Sequence, residues 1–303
     1  MWVCGNFQFD TREPLIMGIL NATPDSFSDG GAYYRRQGFE REHEPKRPGV
    51  YLNVEAACEH ARNMIAQGAD LIDVGGESTR PGAREVSVSE ELARVLPILD
   101  ILVNEGIAVS IDTRHPELAA ACVAHGAAVI NDITGFSKAP MRELAQRNPI
   151  GCIIAHMQGE PENMQVAPHY DDVVGEVEAY LLLQASRLEE VGVSRNRIAV
   201  DPGPGFGKSY EHNMALLRAT KRLASHGYPL VAAWSRKGFI GELTGVPVAS
   251  QRVAGSVAVA VYAAQMGASI LRVHDVAATV QALKAVSLIR DGGDIKKTER
   301  RLP

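Results

Sequence analysis

The sequence predicts a single α/β domain, a closed (β/α)8 barrel carrying a short N-terminal hairpin or cap. Three observations lead there. The chain has 303 residues, and one large barrel commonly takes about 250. Eight short apolar runs each end on a polar or glycine-rich loop, and amphipathic helical stretches separate them. The runs are continuously apolar rather than alternating, as in a parallel sheet buried on both faces. From Asn21 to Arg272 the spacing averages about 36 residues, one strand–helix repeat. An open doubly wound sheet is the alternative, but no glycine-rich dinucleotide fingerprint follows the first run.

Trp2–Asp10 reads as the hairpin or cap. Leu15–Leu20 is the first barrel strand and stops at Asn21. Pro24, Gly30 and Gly31 then mark a turn-rich loop carrying Asp25, Phe27, Ser28 and Asp29. An aromatic in so polar a loop asks for a ligand. Tyr33–Val50 is a mixed-charge insertion, expected to be a solvated, mobile excursion. Helix Val54–Gln67 leads to strand Leu71–Val74 and the loop Gly75-Gly-Glu-Ser-Thr-Arg-Pro-Gly82. Helix Ser89–Glu105 leads to Ala108–Ile111, which closes on Asp112, and Pro116–His125 to Ala127–Ile130, which closes on Asn131. Met141–Arg147 leads to Gly151–Ala155, closing on His156 and Met157, and Asp171–Val191 to Ile198–Val200, closing on Asp201. Glu211–Ser225 leads to Leu230–Ala233 and Trp234-Ser-Arg-Lys237, and Ser250–Met266 to Ser269–Leu271, Arg272 and His274. Ala277–Ile289 is the last helix, and Asp291–Pro303 a polar tail. The whole chain, 1–303, is thus one domain with its core over about 15–290.

Composition narrows the function. A formal net charge of −5 without a basic stripe argues against general nucleic-acid binding. Val253–Ala268, the most apolar long segment, is broken by Gly and Ser and too short for a membrane span. The opening residues carry no basic-then-apolar leader. Cys4, Cys58, Cys122 and Cys152 show no metal or redox spacing and read as buried free thiols. A cytoplasmic protein is expected.

In a barrel, the C-terminal strand ends share one mouth. Asn21, Asp112, Asn131, Asp201, Lys237, Arg272 and His274 would therefore meet there. Helix capping or loop support accounts for any one such residue, but not for seven at seven strand ends. The run Asp201-Pro-Gly-Pro-Gly-Phe-Gly-Lys208 is not a nucleotide phosphate loop, because Pro202 stands where that pattern needs its first glycine. Its glycines allow close approach of a flat ligand on which Phe206 can stack. Asp201 and Asn131 suit the amino-amide edge of a fused heterocycle. Arg272 and His274 alternate on the last strand, so they point the same way and, with Asn21, make an anion pocket. No nucleophile–His–carboxylate motif or zinc spacing appears, so covalent catalysis is not expected.

The segments GILNATPDSFSDGG, DVGGESTRPGA, SIDT, INDITGF, HMQGEP, DPGPGFGK, SRKGFIG and GSVAVAVYAAQMGASILRVHDV, in that order from about Leu15 to Val286, resemble the dihydropteroate synthases of folate biosynthesis. The resemblance implies a cytoplasmic, homodimeric (β/α)8 transferase that is a sulfonamide target. It would join p-aminobenzoate to 6-hydroxymethyl-7,8-dihydropterin pyrophosphate, releasing pyrophosphate with Mg2+. Matching motifs would put the pterin on Asp112, Asn131, Asp201 and Lys237, with Met157 and Phe206 lining its slot. Asn21, Arg272 and His274 would hold pyrophosphate, with Asn21 on the Mg2+. Phe27, Thr79, Arg80, Pro81, Ser235 and Gly238 would form the p-aminobenzoate site, and Asp112, Lys237, Asp29 and Arg80 would carry the chemistry. Three features depart from the family pattern. Gly238 stands where a serine is frequent, Pro204 where Phe or Leu is usual, and the Tyr33–Val50 insertion is long. Two other readings are a methyltetrahydrofolate methyltransferase, which needs neither the SRK lysine nor the RVHD anion site, and a catalytically silent pterin-binding paralogue, which should lack some of these residues.

Overall fold

The computed structural model describes residues 1–23, 34–36, 50–78, 86–161, 163–290 and 292. An antiparallel hairpin of β1 (Trp2–Cys4) and β2 (Phe7–Phe9) opens the chain. The barrel starts with β3 (Leu15–Asn21). Strands β4 (Tyr34–Arg36) and β5 (Val50–Leu52) then pair antiparallel. This corrects the expected loose excursion at its two ends, which form a ribbon; 37–49 lie outside the described residues. Helix α1 (Val54–Ala66) starts where the Asn53 side chain accepts from the Ala56 amide, a standard N-cap.

The repeat then runs β6 (Leu71–Gly75), α2 (Val88–Asn104), β7 (Val109–Asp112), α3 (Pro116–Ala124), β8 (Val129–Asp132), α4 (Ala139–Arg147) and β9 (Gly151–Ala155). It continues with α5 (Val173–Glu190), β10 (Ile198–Asp201), α6 (Tyr210–Arg218), α7 (Thr220–Ala224), β11 (Val231–Ala232) and α8 (Gly238–Thr244). Helix α9 (Val253–Gln265), β12 (Ile270–Val273) and α10 (Val276–Arg290) complete it. The eight parallel strands stand in the order β10-β9-β8-β7-β6-β3-β12-β11. A parallel bridge between Val200 and Leu230, with the Val200 amide donating to Pro229 O at 2.9 Å, joins the ends of that order and closes the ring. The predicted barrel and its hairpin are therefore both present.

Sequence expectation and structure differ at three further places. The helix expected over Glu211–Ser225 is two, interrupted at Ala219, where the backbone leaves helical geometry (φ −83°, ψ 3°). The Thr220 hydroxyl holds that break by donating to Leu217 O at 2.6 Å. The helix expected from Ser250 begins at Val253, after a tight 3-10 turn at Ala249–Gln251. Helix α8 was not anticipated, because its seven residues include two glycines and are too few to show a period.

Two apolar layers hold the fold. Inside the ring, Leu15, Met17, Leu71, Val129, Ile153, Ala199, Val231 and Ile270 pack together, and Trp2 and Cys4 of the hairpin join them. Trp2 is fully buried, and its indole donates to Arg197 O at 3.1 Å. The hairpin therefore plugs the N-terminal end of the barrel. Outside the ring, α1, α2, α3 and α5 bury Met64, Leu99, Leu118, Leu188 and their neighbours against the strands. All four cysteines are buried and free. Among the described residues, no helix is long and apolar enough to cross a membrane. With one end plugged, the other end is left for a site.

Candidate active site

The C-terminal strand ends enclose a cavity of about 670 Å³, within the range of small-molecule sites. Asn21, Asp112, Phe206, Ser235, Lys237, Gly238, Arg272 and His274 all line it. Asn131, Met157 and Asp201 are not in its lining: Asn131 and Asp201 are buried behind it, and Met157 is half-buried. Phe27, Asp29, Thr79, Arg80 and Pro81 lie outside the described residues.

At the centre is an ion cluster. The Arg272 guanidinium on β12 reaches across to two carboxylates, donating from Nε to Asp73 Oδ2 at 2.6 Å and from Nη2 to Asp112 Oδ2 at 2.8 Å. The Asn131 amide donates to the same Asp73 oxygen at 3.3 Å. Asp73 is fully buried within β6. It was missed as a site residue because it sits inside an otherwise apolar run. A lone carboxylate in the middle of a buried strand was the available signal, since it cannot stay there uncompensated. Burial raises Asp112 to about 7; Asp73 and Asp201 push the same way, while Arg272 and Lys237 pull it down. Burial also raises Asp201, against the pull of Lys237. For Arg272, burial alone would lower the pKa, but Asp73 and Asp112 outweigh it and hold the guanidinium above its ordinary value.

Lys237 arrives from the loop after β11. Arg236, just before it, has a left-handed backbone (φ 58°), a conformation that costs a non-glycine residue free energy. Surrounding bonds impose it. The Arg236 amide donates to Ser256 Oγ at 2.9 Å, its guanidinium grips Asp275 at 2.9 and 2.5 Å, and Arg252 donates to its carbonyl at 2.9 Å. The turn delivers Lys237 Nζ to Pro204 O at 2.6 Å and to 4.4 Å from the Phe206 ring centre. Burial lowers Lys237 to about 8, with Arg272 adding to the drop and Asp201 and Asp112 opposing it.

The glycine loop after β10 is shaped by close approach. Gly203 has φ 63°, and a Cβ there would fall 1.8 Å from His156 O. The Gly203 amide donates to Asp201 Oδ1 at 2.7 Å, and the Gly205 amide to Asn213 Oδ1 at 2.8 Å. Beneath the loop, Lys208 Nζ meets His156 Nδ1 at 2.9 Å and Phe206 O at 2.9 Å. Burial lowers Lys208 to about 7; burial and the adjacent Lys208 lower His156 to about 3. His156 is therefore a neutral acceptor and Lys208 a brace for the loop. Neither role was anticipated, because the pair forms only across two loops distant in sequence.

At the anion end, His274 and Ser235 are joined through Nδ1 and Oγ at 3.0 Å, and the His274 amide donates to the same oxygen at 3.2 Å. Asn21 lines the same cavity. Gly238 opens α8, and nothing lies within 4 Å of where its Cβ would stand.

The chain as a whole is similar to known proteins. The family model described as pterin binding enzyme matches residues 46–274. The dihydropteroate synthase of Neisseria meningitidis serogroup C is 44% identical over 288 residues, 94% of this chain and 96% of that protein. Among solved structures, the Yersinia pestis dihydropteroate synthase in a sulfonamide drug complex superposes with a TM-score of 0.84 at 39% identity, covering 95% of this chain and 98% of that one. The Burkholderia cenocepacia dihydropteroate synthase complexed with 7,8-dihydropteroate gives 0.82 at 41%, covering 96% of each. The cluster of carboxylates and cations at this barrel mouth therefore sits in a chain that belongs to the dihydropteroate synthases, transferases of folate biosynthesis within the pterin-binding enzymes.

Proposed function

We propose that the transfer takes place in this one cavity, by dissociative, SN1-like displacement of pyrophosphate from 6-hydroxymethyl-7,8-dihydropterin pyrophosphate. The observation that carries the reading is a single cavity that Asp112, Lys237, Arg272, His274 and Asn21 all line, with Arg272 bonded directly to Asp112 so that carboxylate and cation meet at its centre. Asp112 meets the amino-amide edge of the pterin from the cavity wall, with Asp201 and Asn131 supporting that edge from just behind it, and Lys237 donates to a ring acceptor while Phe206 covers a face. Asp112 is the anion nearest a positive charge developing on the pterin, whose ring delocalises the cation left on its exocyclic methylene. Among the described residues Arg272 engages carboxylates through Nε and Nη2, and its guanidinium would join His274 and Asn21 on the departing pyrophosphate. Mg2+, bound with Asn21, would neutralise part of that leaving group's charge. Preorganised groups that stabilise separated charges accelerate such a reaction more than any other device a site of this kind holds. The amine nitrogen of p-aminobenzoate then bonds to the methylene carbon and gives up a proton, yielding 7,8-dihydropteroate. Ser235 and Gly238 line the side from which it enters, with Phe27, Asp29, Thr79, Arg80 and Pro81 contributed by the first two loops. Loop closure there would exclude water, the competing nucleophile. A cytoplasmic homodimer is the working assembly in this reading.

The test is product identity. Purified chain supplied with both substrates and Mg2+ is expected to form 7,8-dihydropteroate, followed by chromatography. Pterin binding without product would instead favour the silent paralogue. Methyl transfer from methyltetrahydrofolate would favour the methyltransferase.

A further inference from the structure

A second group of ligand-type side chains lies beside the cavity wall and takes no part in the proposed reaction. Glu77 in the loop after β6, Glu91 on α2 and His115 at the start of α3 each place one such atom within 4.8 Å of the others. His115 Nε2 stands 3.6 Å from Glu77 Oε2 and 4.0 Å from Glu91 Oε2. Glu91 has no exposed surface at all, and neither of its carboxylate oxygens makes a hydrogen bond of acceptable geometry among the described residues. His115 Nε2 is buried and equally without a hydrogen-bond partner. Three orphaned polar atoms at one point are rare in a native interior.

Charge points the same way. Arg114 pairs with Glu77 through Nε at 3.1 Å and Nη2 at 3.2 Å, so one positive charge already compensates Glu77. Glu91 has the Thr113 side chain beside it, but its charged neighbours are Glu77, Asp112 and the Arg114 already paired with Glu77, so among the described residues it has no cation of its own. A buried carboxylate left in that state must acquire either a proton or a cation. A single proton bridges only one pair of the three orphaned atoms, whereas an ion engages all of them. Two carboxylates with an imidazole suit first-row dications. Two ligands about 2.1 Å from one such ion stand roughly 3.4–3.6 Å apart; His115 and Glu77 already have that spacing at 3.6 Å, and Glu91 would have to move inward by side-chain rotation to complete the triangle.

We propose that Glu77, Glu91 and His115 bind one divalent first-row metal ion of the Zn2+ or Mn2+ type, distinct from the Mg2+ that accompanies pyrophosphate. The ion ties the root of the second active-site loop to the start of α3. Glu77 and Ser78 line the cavity, so it fixes the cavity wall and touches no reacting atom.

The test uses the full chain, stripped with chelator and dialysed against Zn2+ or Mn2+ without substrates, with metal counted per chain by mass spectrometry. The expected result is one ion per chain, a melting temperature that rises with metal concentration, and affinity lowered about tenfold or more by Glu91→Gln or His115→Gln. Uptake in the wild type no greater than in these variants overturns the proposal and leaves a proton on Glu91 as the occupant. Should one variant fail to fold, the other decides.

Discussion

Asp112 and Lys237 line the same cavity and influence each other's titration, and burial brings their pKa values to about 7 and about 8. Below about 7 Asp112 gains a proton and loses the charge that would stabilise a pterin cation. Above about 8 Lys237 loses its proton and can no longer donate as a cation. The expected profile of kcat/KM against pH is therefore a bell with limbs near those values. A flat profile from pH 6 to pH 9 would remove both residues from the reaction. Lys237→Ala is expected to lower kcat/KM about tenfold to a hundredfold, the worth of one charged hydrogen bond, and to erase the alkaline limb. Polar strand ends made Asp112, Lys237 and Arg272 legible in the sequence. Asp73 was not, although Arg272 is anchored by it, because it stands within an apolar strand and only the closed ring puts it beside Arg272. The Lys208–His156 contact was illegible for a similar reason, since spacing along the chain says nothing of two loops meeting.

At the scale of elements, strand and helix order were readable because each repeat pairs a continuous apolar run with an amphipathic stretch. The unanticipated features are short: α8, the break at Ala219 and the β4–β5 ribbon, each held by local bonds rather than by a period. The two glycine positions of the mouth separate cleanly. At Gly203 an added methyl group would collide with His156 O, and φ is positive. Gly203→Ala is expected to disrupt the glycine loop, abolishing turnover and lowering the melting temperature. Gly238, at the first turn of α8, has open space around it. Gly238→Ser is expected to leave stability within about 0.5 kcal/mol, as for uncrowded surface changes, and to lower KM for p-aminobenzoate by supplying a hydroxyl. Steady-state kinetics and thermal melts distinguish these outcomes; similar behaviour of the two variants would contradict the geometry.

Over the whole molecule, one end of the barrel is for stability and the other for chemistry. The hairpin seals the first, with Trp2 buried among strand residues from around the ring. Trp2→Ala is expected to cost about 3–5 kcal/mol in chemical denaturation while leaving KM for both substrates unchanged. A KM shift matching the stability loss would mean that the plug also shapes the mouth. The second end draws positive charge locally from a chain of net charge −5. That polarity has meaning only if anion and heterocycle are handled together, with pyrophosphate leaving as the amine arrives. The decisive measurement is pyrophosphate release by the purified chain with dihydropterin pyrophosphate and Mg2+, with and without p-aminobenzoate. Release should accelerate with p-aminobenzoate and match dihydropteroate formed mole for mole. Release at one rate regardless of p-aminobenzoate, or none at all, would contradict transfer in this cavity.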